Sequence, residues 1–492
     1  MTVTVRFGTD GWRGIIAEDF TFAAVRRTAQ ALALELGERL GQPGSGGQGG
    51  QGPGEQPALV VGYDTRFGSA RFADAVAEVL SAHDIHVYLC KGVAPAPVIS
   101  HAIVEQGAHG GVMVTASHNP AAFNGLKVKG RSGAPASFAF LHAVEARVDA
   151  LAREGGQGAA PPRHALELAE DQGELDRITP LPAYQARLAE LVDLEALRSA
   201  GLTVVVDAMF GAGAGILPKL LAAGPTKIIE INGAVNPAFP GMKGPEPIAA
   251  NLQRLSRVVQ EGDSALGLAF DGDADRLGVV GRDGEYVSAQ TIFALLALYL
   301  LEVRGWNGPL VKSINATAMI DRLAKDFGVP VYETPVGFTA MAPVMREHDA
   351  ILAGEESGGF AFRHHFPDRD GILSGLFLLD LLVRRDTDLA GAIAGLRQRV
   401  GDWYYERLDV PCSRERCDEV LAKFAAIGAK RLAGVPIVRM VDTDGQKYVL
   451  EDDSWVLVRY SGTEPVMRLY AEAHSPERVG ELLARAREIG GL

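Results

Sequence analysis

The sequence predicts an α/β protein built from several domains, in which three blocks of alternating strands and helices precede a smaller α+β block. Its length supports more than one domain, because 492 residues exceed the ~150 residues typical of a single domain. Short apolar segments typical of buried strands alternate with segments of helical periodicity, a pattern that favours mainly parallel sheets. The composition, 47% hydrophobic and 22% charged, is that of a globular protein and excludes wholesale disorder.

The predicted elements follow in chain order. A helix is expected over 20–39, and a surface loop of Gly, Gln, Pro and Ser follows at 41–56. Strand, helix and strand then come at 58–62, 70–82 and 85–89, and a Gly/Pro-rich stretch at 153–163 is the first predicted domain boundary. Later strands are predicted at 204–207, 266–270, 310–314, 455–459 and 467–471, and a closing helix begins at 476.

Charge and cysteine content exclude several classes of function. The net charge of −13 argues against nucleic acid or an anionic membrane surface as the main partner, so an anionic substrate would need local cations. Three cysteines are too few for a disulfide framework, and no second Cys or His pair completes a zinc pattern. The longest apolar run, 292–301, is about half of a membrane span. We therefore expect a soluble cytoplasmic protein.

The segment from Val112 to Pro120 carries the first candidate site. Its apolar residues predict a buried strand that runs directly into Ser117, His118 and Asn119. Because proline is favoured at the first position of a helix, we expect Ser117 on a strand-to-helix turn, near backbone N–H groups that bind phosphate. The alternative is a Ser/Asn helix cap without chemistry.

An acidic cluster, Asp271, Asp273 and Asp275, follows the predicted strand 266–270. Alternate spacing lets the three carboxylates converge, and oxygen ligands select a hard ion such as Mg²⁺. An EF-hand loop does not fit, because arginines stand where that loop needs Gly and Glu. A solvated acidic turn is the alternative, but Arg276 at the end of the cluster suits a phosphate oxygen beside a metal.

Two further loops carry groups that recognise sugars and phosphates. Residues 354–359, Gly-Glu-Glu-Ser-Gly-Gly, present carboxylates and a hydroxyl that suit sugar hydroxyls. Residues 459–465, followed by Arg468, combine two guanidinium groups with hydroxyls and a glycine, an arrangement that favours a phosphate dianion. A Ser/Thr turn without a ligand is the alternative for this second loop.

The order of these four motifs, with Phe-Gly-Thr-Asp-Gly-Trp-Arg-Gly at 7–14, resembles the α-D-phosphohexomutase superfamily, the phosphoglucomutases and phosphomannomutases, over essentially the whole chain. The resemblance implies four domains around a central cleft: three similar α/β domains with mixed sheets, and a C-terminal α+β domain. The expected domains are 1–155, with the serine loop; 175–287, with the metal loop; 288–400, with the sugar loop; and 401–492, with the phosphate loop.

The resemblance also implies a role for individual residues. Ser117 would be a phosphoserine, and it would bind Mg²⁺ together with Asp271, Asp273 and Asp275. Arg13, His118 and Lys127 would assist catalysis at the serine, with a surface salt bridge as the alternative for Arg13 and Lys127. The residues expected to bind substrate are Arg276, Gly337, Glu355, Ser357, Arg459, Ser461, Gly462, Thr463 and Arg468.

The implied reaction interconverts hexose 1-phosphate and hexose 6-phosphate through a 1,6-bisphosphate intermediate, with Mg²⁺ as cofactor and glucose 1,6-bisphosphate as activator. The sugar loop favours glucose, whereas Thr339 stands where glucose-directed relatives often carry a lysine, and the 7–14 motif is also similar to that of glucosamine-directed mutases. Mannose or glucosamine phosphate are therefore the alternatives. A phosphohydrolase that uses the same serine, or a silent sugar-phosphate sensor, are rival classes. We expect a monomer or a homodimer.

Overall fold

The computed structural model describes residues 4–41, 56–154, 160–426, 430–461 and 465–492. The chain forms two compact units: unit 1 contains Met1–Val287 and Gly359–Val383, and unit 2 contains Ser288–Gly358 and Arg384–Leu492. The chain therefore leaves unit 1, returns to it for 25 residues and leaves it again. Within the described residues, no helix combines the length and the apolar character needed to cross a membrane.

The first part of unit 1 is a six-stranded mixed sheet with helices. Its strands are β1 (Trp12–Ile15), β2 (Ala58–Tyr63), β3 (His86–Cys90), β4 (Gly110–Val114), β5 (Phe123–Gly130) and β6 (Leu175–Ile178). Its helices are α1 (Phe22–Gly41), α2 (Ser69–Ser81), α3 (Ala96–Glu105), α4 (Phe138–Glu154), α5 (Leu166–Asp171) and α6 (Leu181–Leu191). The strand order is β1-β5-β4-β2-β3-β6, in which β1–β5 and β5–β4 are antiparallel pairs and the other pairs are parallel.

The second part of unit 1 is a five-stranded mixed sheet. Its elements are α7 (Leu194–Ser199), β7 (Thr203–Asp207), α8 (Ile216–Leu220), β8 (Lys227–Ile231), a 3₁₀ turn (Ala249–Asn251), α9 (Gln253–Glu261), β9 (Leu266–Phe270), β10 (Leu277–Gly281) and β11 (Tyr286–Val287). The strand order is β11-β10-β9-β7-β8. Strand β9 is buried along its whole length, as an apolar run in the centre of a covered sheet should be.

Unit 2 begins with a parallel sheet in the order β13-β12-β14. The elements are α10 (Ala289–Leu298), a π-helical turn (Tyr299–Val303), β12 (Leu310–Ser313), α11 (Met319–Phe327), β13 (Val331–Thr334), α12 (Phe338–Glu347) and β14 (Leu352–Gly354). The chain then returns to unit 1 with β15 (Phe360–Phe362) and α13 (Gly371–Arg385), which enters unit 2 again at its last two residues.

The rest of unit 2 is one helix that packs on α10 and α11, followed by an antiparallel sheet on which two further helices pack. It comprises α14 (Leu389–Val400), β16 (Tyr404–Pro411), α15 (Arg414–Ala425), β17 (Arg431–Leu432), β18 (Val435–Val441), β19 (Gln446–Leu450), β20 (Trp455–Tyr460), β21 (Val466–Ala473) and α16 (Pro476–Gly490). The strand order is β16-β21-β20-β19-β18-β17. This part has its own core, formed by β20, β21, α15 and α16 side chains such as Val456, Leu469 and Leu482.

The predicted fold class, α/β blocks followed by a C-terminal α+β block, is confirmed. The predicted strand at 266–270 has the bounds of β9, and the other predicted strands lie within two residues of the observed ones. The three cysteines, Cys90, Cys412 and Cys417, are free and buried. Most of the predicted surface loop at 41–56 lies outside the described residues, so that prediction is not tested.

Candidate functional site

The serine loop connects two antiparallel strands. Strand β4 leads into Ser117, and β5 returns beside it in a register that pairs Met113 with Lys127. The expectation that Pro120 begins a helix is wrong, because the chain turns directly into β5 three residues after it. Ser117 has a φ of 49°, a sparsely populated conformation that is enriched at functional sites. The loop therefore has no helix N-terminus, and its positive charge comes from side chains.

Arg66 holds the backbone of the serine loop in place. Its NH1 group donates hydrogen bonds to the carbonyl oxygens of Pro120 and Phe123, at 2.9 and 3.0 Å, and its NH2 group to those of Ser117 and Asn119, both at 2.6 Å. The guanidinium is buried. A rigid fork with several donors suits such a role, which the sequence did not reveal because Arg66 lies 51 residues from Ser117.

The acidic cluster converges on Ser117. Asp271, Asp273 and Asp275 are buried, and each has a carboxylate oxygen within 4.8 Å of the others. Asp271 accepts the hydroxyl of Ser117 at 2.5 Å through Oδ2, and backbone N–H groups of Asp275 and Arg276 through Oδ1. Burial, and then the negative charges of Asp273 and Asp275, raise the pKa of Asp271 well above its usual value.

The carboxylates fit a magnesium ion. Both Asp273 and Asp275 have a buried Oδ1 atom that accepts no hydrogen bond from the described residues. Buried carboxylate oxygens without donors are costly unless a cation satisfies them, and an all-oxygen set selects a hard divalent ion. The expected ligands Asp271, Asp273, Asp275 and Ser117 are therefore brought together in an arrangement that suits Mg²⁺.

Lys127 lies among carboxylates in unit 1. Its Nζ atom is 2.9 Å from Asp10, 2.8 Å from Asp273 and 2.6 Å from Asp275. Burial alone would lower the pKa of Lys127, but the three carboxylates raise it, so its ammonium group stays charged. The surface salt bridge considered for this residue is wrong, since its side chain is only 5% exposed.

Arg369 is a second buried cation in this cluster. It pairs with Asp10 at 2.7 Å and with Asp275 at 2.9 Å. It belongs to the segment 359–383 that returns to unit 1. Neither Asp10 nor Arg369 was singled out from the sequence, although Asp10 lies within the 7–14 motif and Arg369 lies in an acidic-basic run, Asp-Arg-Asp, at 368–370.

Arg13, His118 and Arg276 also lie at the serine loop. Arg13 donates to the side-chain oxygen of Asn119 and lies 3.4 Å from Asp10. His118 Nδ1 is 3.4 Å from the Ser117 hydroxyl oxygen. Burial, followed by the positive charges of Arg276 and Arg13, holds the pKa of His118 well below its usual value, so this imidazole is neutral.

In unit 2, the sugar-loop residues meet the Gly337 segment. Glu355 is buried, and its Oε1 accepts the N–H of Gly337 at 2.7 Å. The hydroxyl of Ser357 donates to Glu355 Oε2 at 3.3 Å. Gly337 has a φ of 111°, a conformation that L side chains rarely adopt, so a glycine is needed at this position. The structure therefore brings together Gly337, Glu355 and Ser357.

The phosphate loop places two arginines side by side. Arg459 on β20 and Arg468 on β21 are cross-strand partners. Like charges directly opposite each other repel, so this pair favours a bound anion. Carboxylates partly balance them: Asp444 lies 3.0 Å from Arg459, and Asp409 lies 3.7 Å from Arg468. Ser461 follows on the same loop, whereas the predicted residues Gly462 and Thr463 lie outside the described residues.

Comparison with protein families identifies four consecutive matches. The phosphoglucomutase/phosphomannomutase alpha/beta/alpha domain I matches residues 4–154, domain II matches 182–284, domain III matches 288–400, and the C-terminal domain matches 410–489. The order and the number of these matches agree with the four domains that the resemblance implied. The domain boundaries at 155, 175, 287 and 400 stay predictions.

Similar proteins extend over nearly the full chain. A probable phosphoglucosamine mutase of Thermococcus gammatolerans is 32% identical over 486 residues, covering 98% of this chain and 97% of that protein. A phosphoglucomutase/phosphomannomutase of Thermococcus kodakarensis is 31% identical, covering 97% and 96%. A solved structure from Thermus thermophilus, provisionally named a phosphomannomutase, is 34% identical with a TM-score of 0.83 and covers 100% of both chains.

Proposed function

The chain belongs to the phosphoglucomutase/phosphomannomutase family of phosphohexomutases, and we propose that it interconverts glucosamine 1-phosphate and glucosamine 6-phosphate. It is an enzyme, an intramolecular phosphotransferase. The observation that supports glucosamine is the 32% identity to a probable phosphoglucosamine mutase over 98% of the chain. The relatives thus favour the glucosamine alternative over the glucose preference predicted from the sequence.

The acidic sugar loop is compatible with an amino sugar. Glu355 places a buried carboxylate on this loop that would attract a protonated amine at C2 of the sugar. The Glu356 carboxylate is already paired with Arg407 at 3.0 Å and accepts the hydroxyl of Tyr405 at 2.9 Å. Phosphoglucomutase/phosphomannomutase activity is the second candidate, supported by the 31% identity to the Thermococcus kodakarensis protein of that name. Glucose and mannose differ only in the orientation of the 2-hydroxyl group, which one hydrogen bond can discriminate.

The serine site would carry out the phosphoryl transfer. The phosphorylated Ser117 gives its phosphoryl group to a free hydroxyl oxygen of the sugar phosphate: the new O–P bond forms, the P–Oγ bond breaks, and the sugar hydroxyl loses a proton while Oγ gains one. Mg²⁺, held by Ser117, Asp271, Asp273 and Asp275, would neutralise negative charge on the transferred group. The transfer would generate a hexosamine 1,6-bisphosphate, whose other phosphoryl group, the one that the substrate already carried, would then pass to Ser117 and leave the product monophosphate.

The side chains around Ser117 have different roles in the transfer. Lys127 acts as a fixed positive charge and hydrogen-bond donor, because the carboxylates that raise its pKa prevent it from acting as a base near neutral pH. Arg13 and Arg276 contribute positive charge to the phosphoserine. His118, neutral because its pKa is lowered, can orient the phosphoseryl group without adding charge.

The residues of unit 2 would bind the substrate. Gly337, Glu355 and Ser357 would hold the sugar, while Arg459, Ser461, Gly462, Thr463 and Arg468 would hold the phosphate that is not reacting. Two guanidinium groups recognise a phosphate dianion regardless of which carbon bears it, so the same residues serve both orientations of the bisphosphate. A hexose 1,6-bisphosphate such as glucose 1,6-bisphosphate would recharge Ser117. A cytoplasmic location and a monomeric or homodimeric state stay predictions.

The test is a comparison of kcat/KM for glucosamine 1-phosphate, glucose 1-phosphate and mannose 1-phosphate, with Mg²⁺ and trace glucose 1,6-bisphosphate. We expect at least a tenfold preference for glucosamine 1-phosphate. A preference for glucose or mannose would instead support the second candidate. Release of inorganic phosphate without a 6-phosphate product would identify a hydrolase and overturn the proposal.

A matched pair of variants tests the role of the serine. We expect Ser117→Ala to abolish turnover while the substrate still binds, whereas Ser132→Ala, in the turn after β5, should retain normal turnover. Near-normal turnover by Ser117→Ala would contradict the assignment of the phosphoserine. A phosphohydrolase would not require a bisphosphate activator, and a silent sensor would show no turnover in the wild type.

A further inference from the structure

Asp444 contacts two functional segments of unit 2 at once. It lies in the turn between β18 and β19 and pairs with Arg459 through both carboxylate oxygens: Oδ1 accepts Nε at 3.2 Å, and Oδ2 lies 3.0 Å from NH2. Oδ2 also accepts the backbone N–H of Val336 at 3.0 Å. Asp444 thus fixes the orientation of a guanidinium group and holds a backbone segment of the preceding domain.

The segment that Asp444 holds also holds the sugar loop. Val336 is followed by Gly337, whose N–H donates to Glu355 Oε1 at 2.7 Å. Two successive backbone amides therefore face two carboxylates, one from the C-terminal turn and one from the sugar loop. A shift of this segment away from Asp444 moves the donor on which Glu355 depends, because adjacent peptide planes share one Cα atom.

The turn that carries Asp444 is itself placed tightly against β20. Gly445 has a φ of 101°, and a Cβ atom there would overlap the carbonyl oxygen of Val458 and lie 2.6 Å from Cβ of Arg459. A glycine is therefore required for the turn to approach Arg459 so closely. The Arg459 side chain is only 7% exposed and that of Asp444 is 21% exposed, so water screens the pair weakly.

We propose that Asp444 is a positioning residue that couples binding of the phosphate that is not reacting to binding of the sugar. One carboxylate orients Arg459 for the phosphate and fixes the 336–337 segment that orients Glu355 for the sugar. This inference rests on the proposed function, because it takes Arg459 as a phosphate ligand and Glu355 as a sugar ligand. Asp444 lies outside the sequence motifs to which a role was assigned.

A purely structural role makes a different prediction. If Asp444 only joined the two domains of unit 2, its loss would lower stability but leave the effects of Glu355 substitutions unchanged. If Asp444 positions both ligands, its loss removes part of what Glu355 contributes. The two substitutions would then be non-additive in kcat/KM.

The experiment is a double-mutant cycle on kcat/KM with Asp444→Asn, Glu355→Gln and the double variant. The substrate is whichever of the three hexose 1-phosphates the wild type converts. Asp444→Asn should raise KM at least tenfold and change kcat less, because binding contacts are weakened in both ground and transition states. The double variant should be at least tenfold more active than the product of the two single effects predicts. Asp442→Asn, an exposed carboxylate two residues earlier, is the matched control and should behave as wild type.

Each outcome has one meaning. A departure of less than tenfold from the product of the two single effects overturns the inference alone, provided that the wild type is active. A wild type that converts none of the three hexose phosphates overturns the proposed function and this inference with it. Should Asp444→Asn not fold, Asp444→Glu, which keeps the charge but moves it, replaces it in the same cycle, and additive effects there overturn the inference equally.

Discussion

Replacement of Lys127 by methionine removes the ammonium group that Asp10 shares with the buried carboxylates of Asp273 and Asp275. The substitution keeps most of the side-chain volume, so its effect comes from the charge. Asp10 and Asp275 retain Arg369 at 2.7 and 2.9 Å, whereas Asp273 loses the ion pair at 2.8 Å. The loss of stability in the variant therefore measures the free-energy cost of leaving the buried carboxylate of Asp273 without this ion pair.

The magnitude follows from that geometry. Breaking a buried ion pair by removing one partner costs roughly 3–5 kcal/mol. We expect the lower end, about 3 kcal/mol, because Arg369 still neutralises two of the three carboxylates. At roughly 1.5 °C per kcal/mol for a unit of about 300 residues, the melting temperature without metal should fall by about 5 °C. Mg²⁺ should restore more stability to the variant than to the wild type, since the metal supplies charge that the lysine no longer provides.

The assay is thermal unfolding by calorimetry in EDTA and in a series of Mg²⁺ concentrations. Lys91→Met, at an exposed lysine of the same domain, is the control and should unfold as the wild type does. A Lys127→Met variant within about 0.5 kcal/mol of the wild type, with an unchanged response to Mg²⁺, would refute the reasoning. It would mean that the carboxylates are not held charged by Lys127.

Two further predictions concern unit 1. Gly272→Ala should lower kcat/KM about 100-fold, because the added methyl group would overlap the Ser117 carbonyl oxygen and displace the serine loop. The control Gly130→Ala, with open space around the new methyl group, should keep the kcat/KM of the wild type. Equal kcat/KM values for the two variants would contradict this prediction. Burial lowers the pKa of His101 from 6.5 to about 4. As the pH falls from 6.5 to 4, the unfolded chain therefore binds a proton at His101 that the native state does not bind. The contribution of His101 to the free energy of unfolding is complete above this pH range and is lost within it. Between pH 7 and pH 4, the free energy of unfolding of His101→Gln, measured with urea, should therefore fall by about 1–2 kcal/mol less than that of the wild type. The control His142→Gln, at an exposed histidine, should match the wild type. Identical pH dependence of the free energy of unfolding in all three proteins would rule out this role for His101.

Local patterns predicted the strands and the convergence of the acidic cluster because both depend on near neighbours. The run Leu266–Phe270 is apolar and short enough to be a buried strand, and alternate aspartates after it must lie close together. Pro120 shows the limit of such patterns. The residue suits a helix start as well as a turn, and the choice is made by the pairing of β5 with β4.

Contacts between distant parts of the chain could not be predicted in the same way. Asp10 and Arg369 are 359 residues apart, and no periodicity or composition links them. In the sequence, Asp444 is the first residue of an Asp-Gly pair of the kind common in turns. Only the structure shows that it contacts Arg459 and Val336. Sequence motifs thus identify the catalytic and binding side chains. The side chains that orient them are identified only by contacts between residues far apart in the sequence.

The return of Gly359–Val383 to unit 1 limits how the protein can be divided into fragments. Asp368 pairs with the buried Lys129 at 2.5 Å, and the hydroxyl of the buried Tyr184 donates to the Asp370 carboxylate, whose two oxygens lie 2.9 and 2.8 Å away. A truncated product that stops at residue 287 would remove these partners from the ammonium group of Lys129 and the hydroxyl group of Tyr184. A nascent chain on the ribosome can complete unit 1 only after residue 383 has been synthesised, and we expect a recombinant version of unit 1 to need 359–383 joined to 1–287 through a linker.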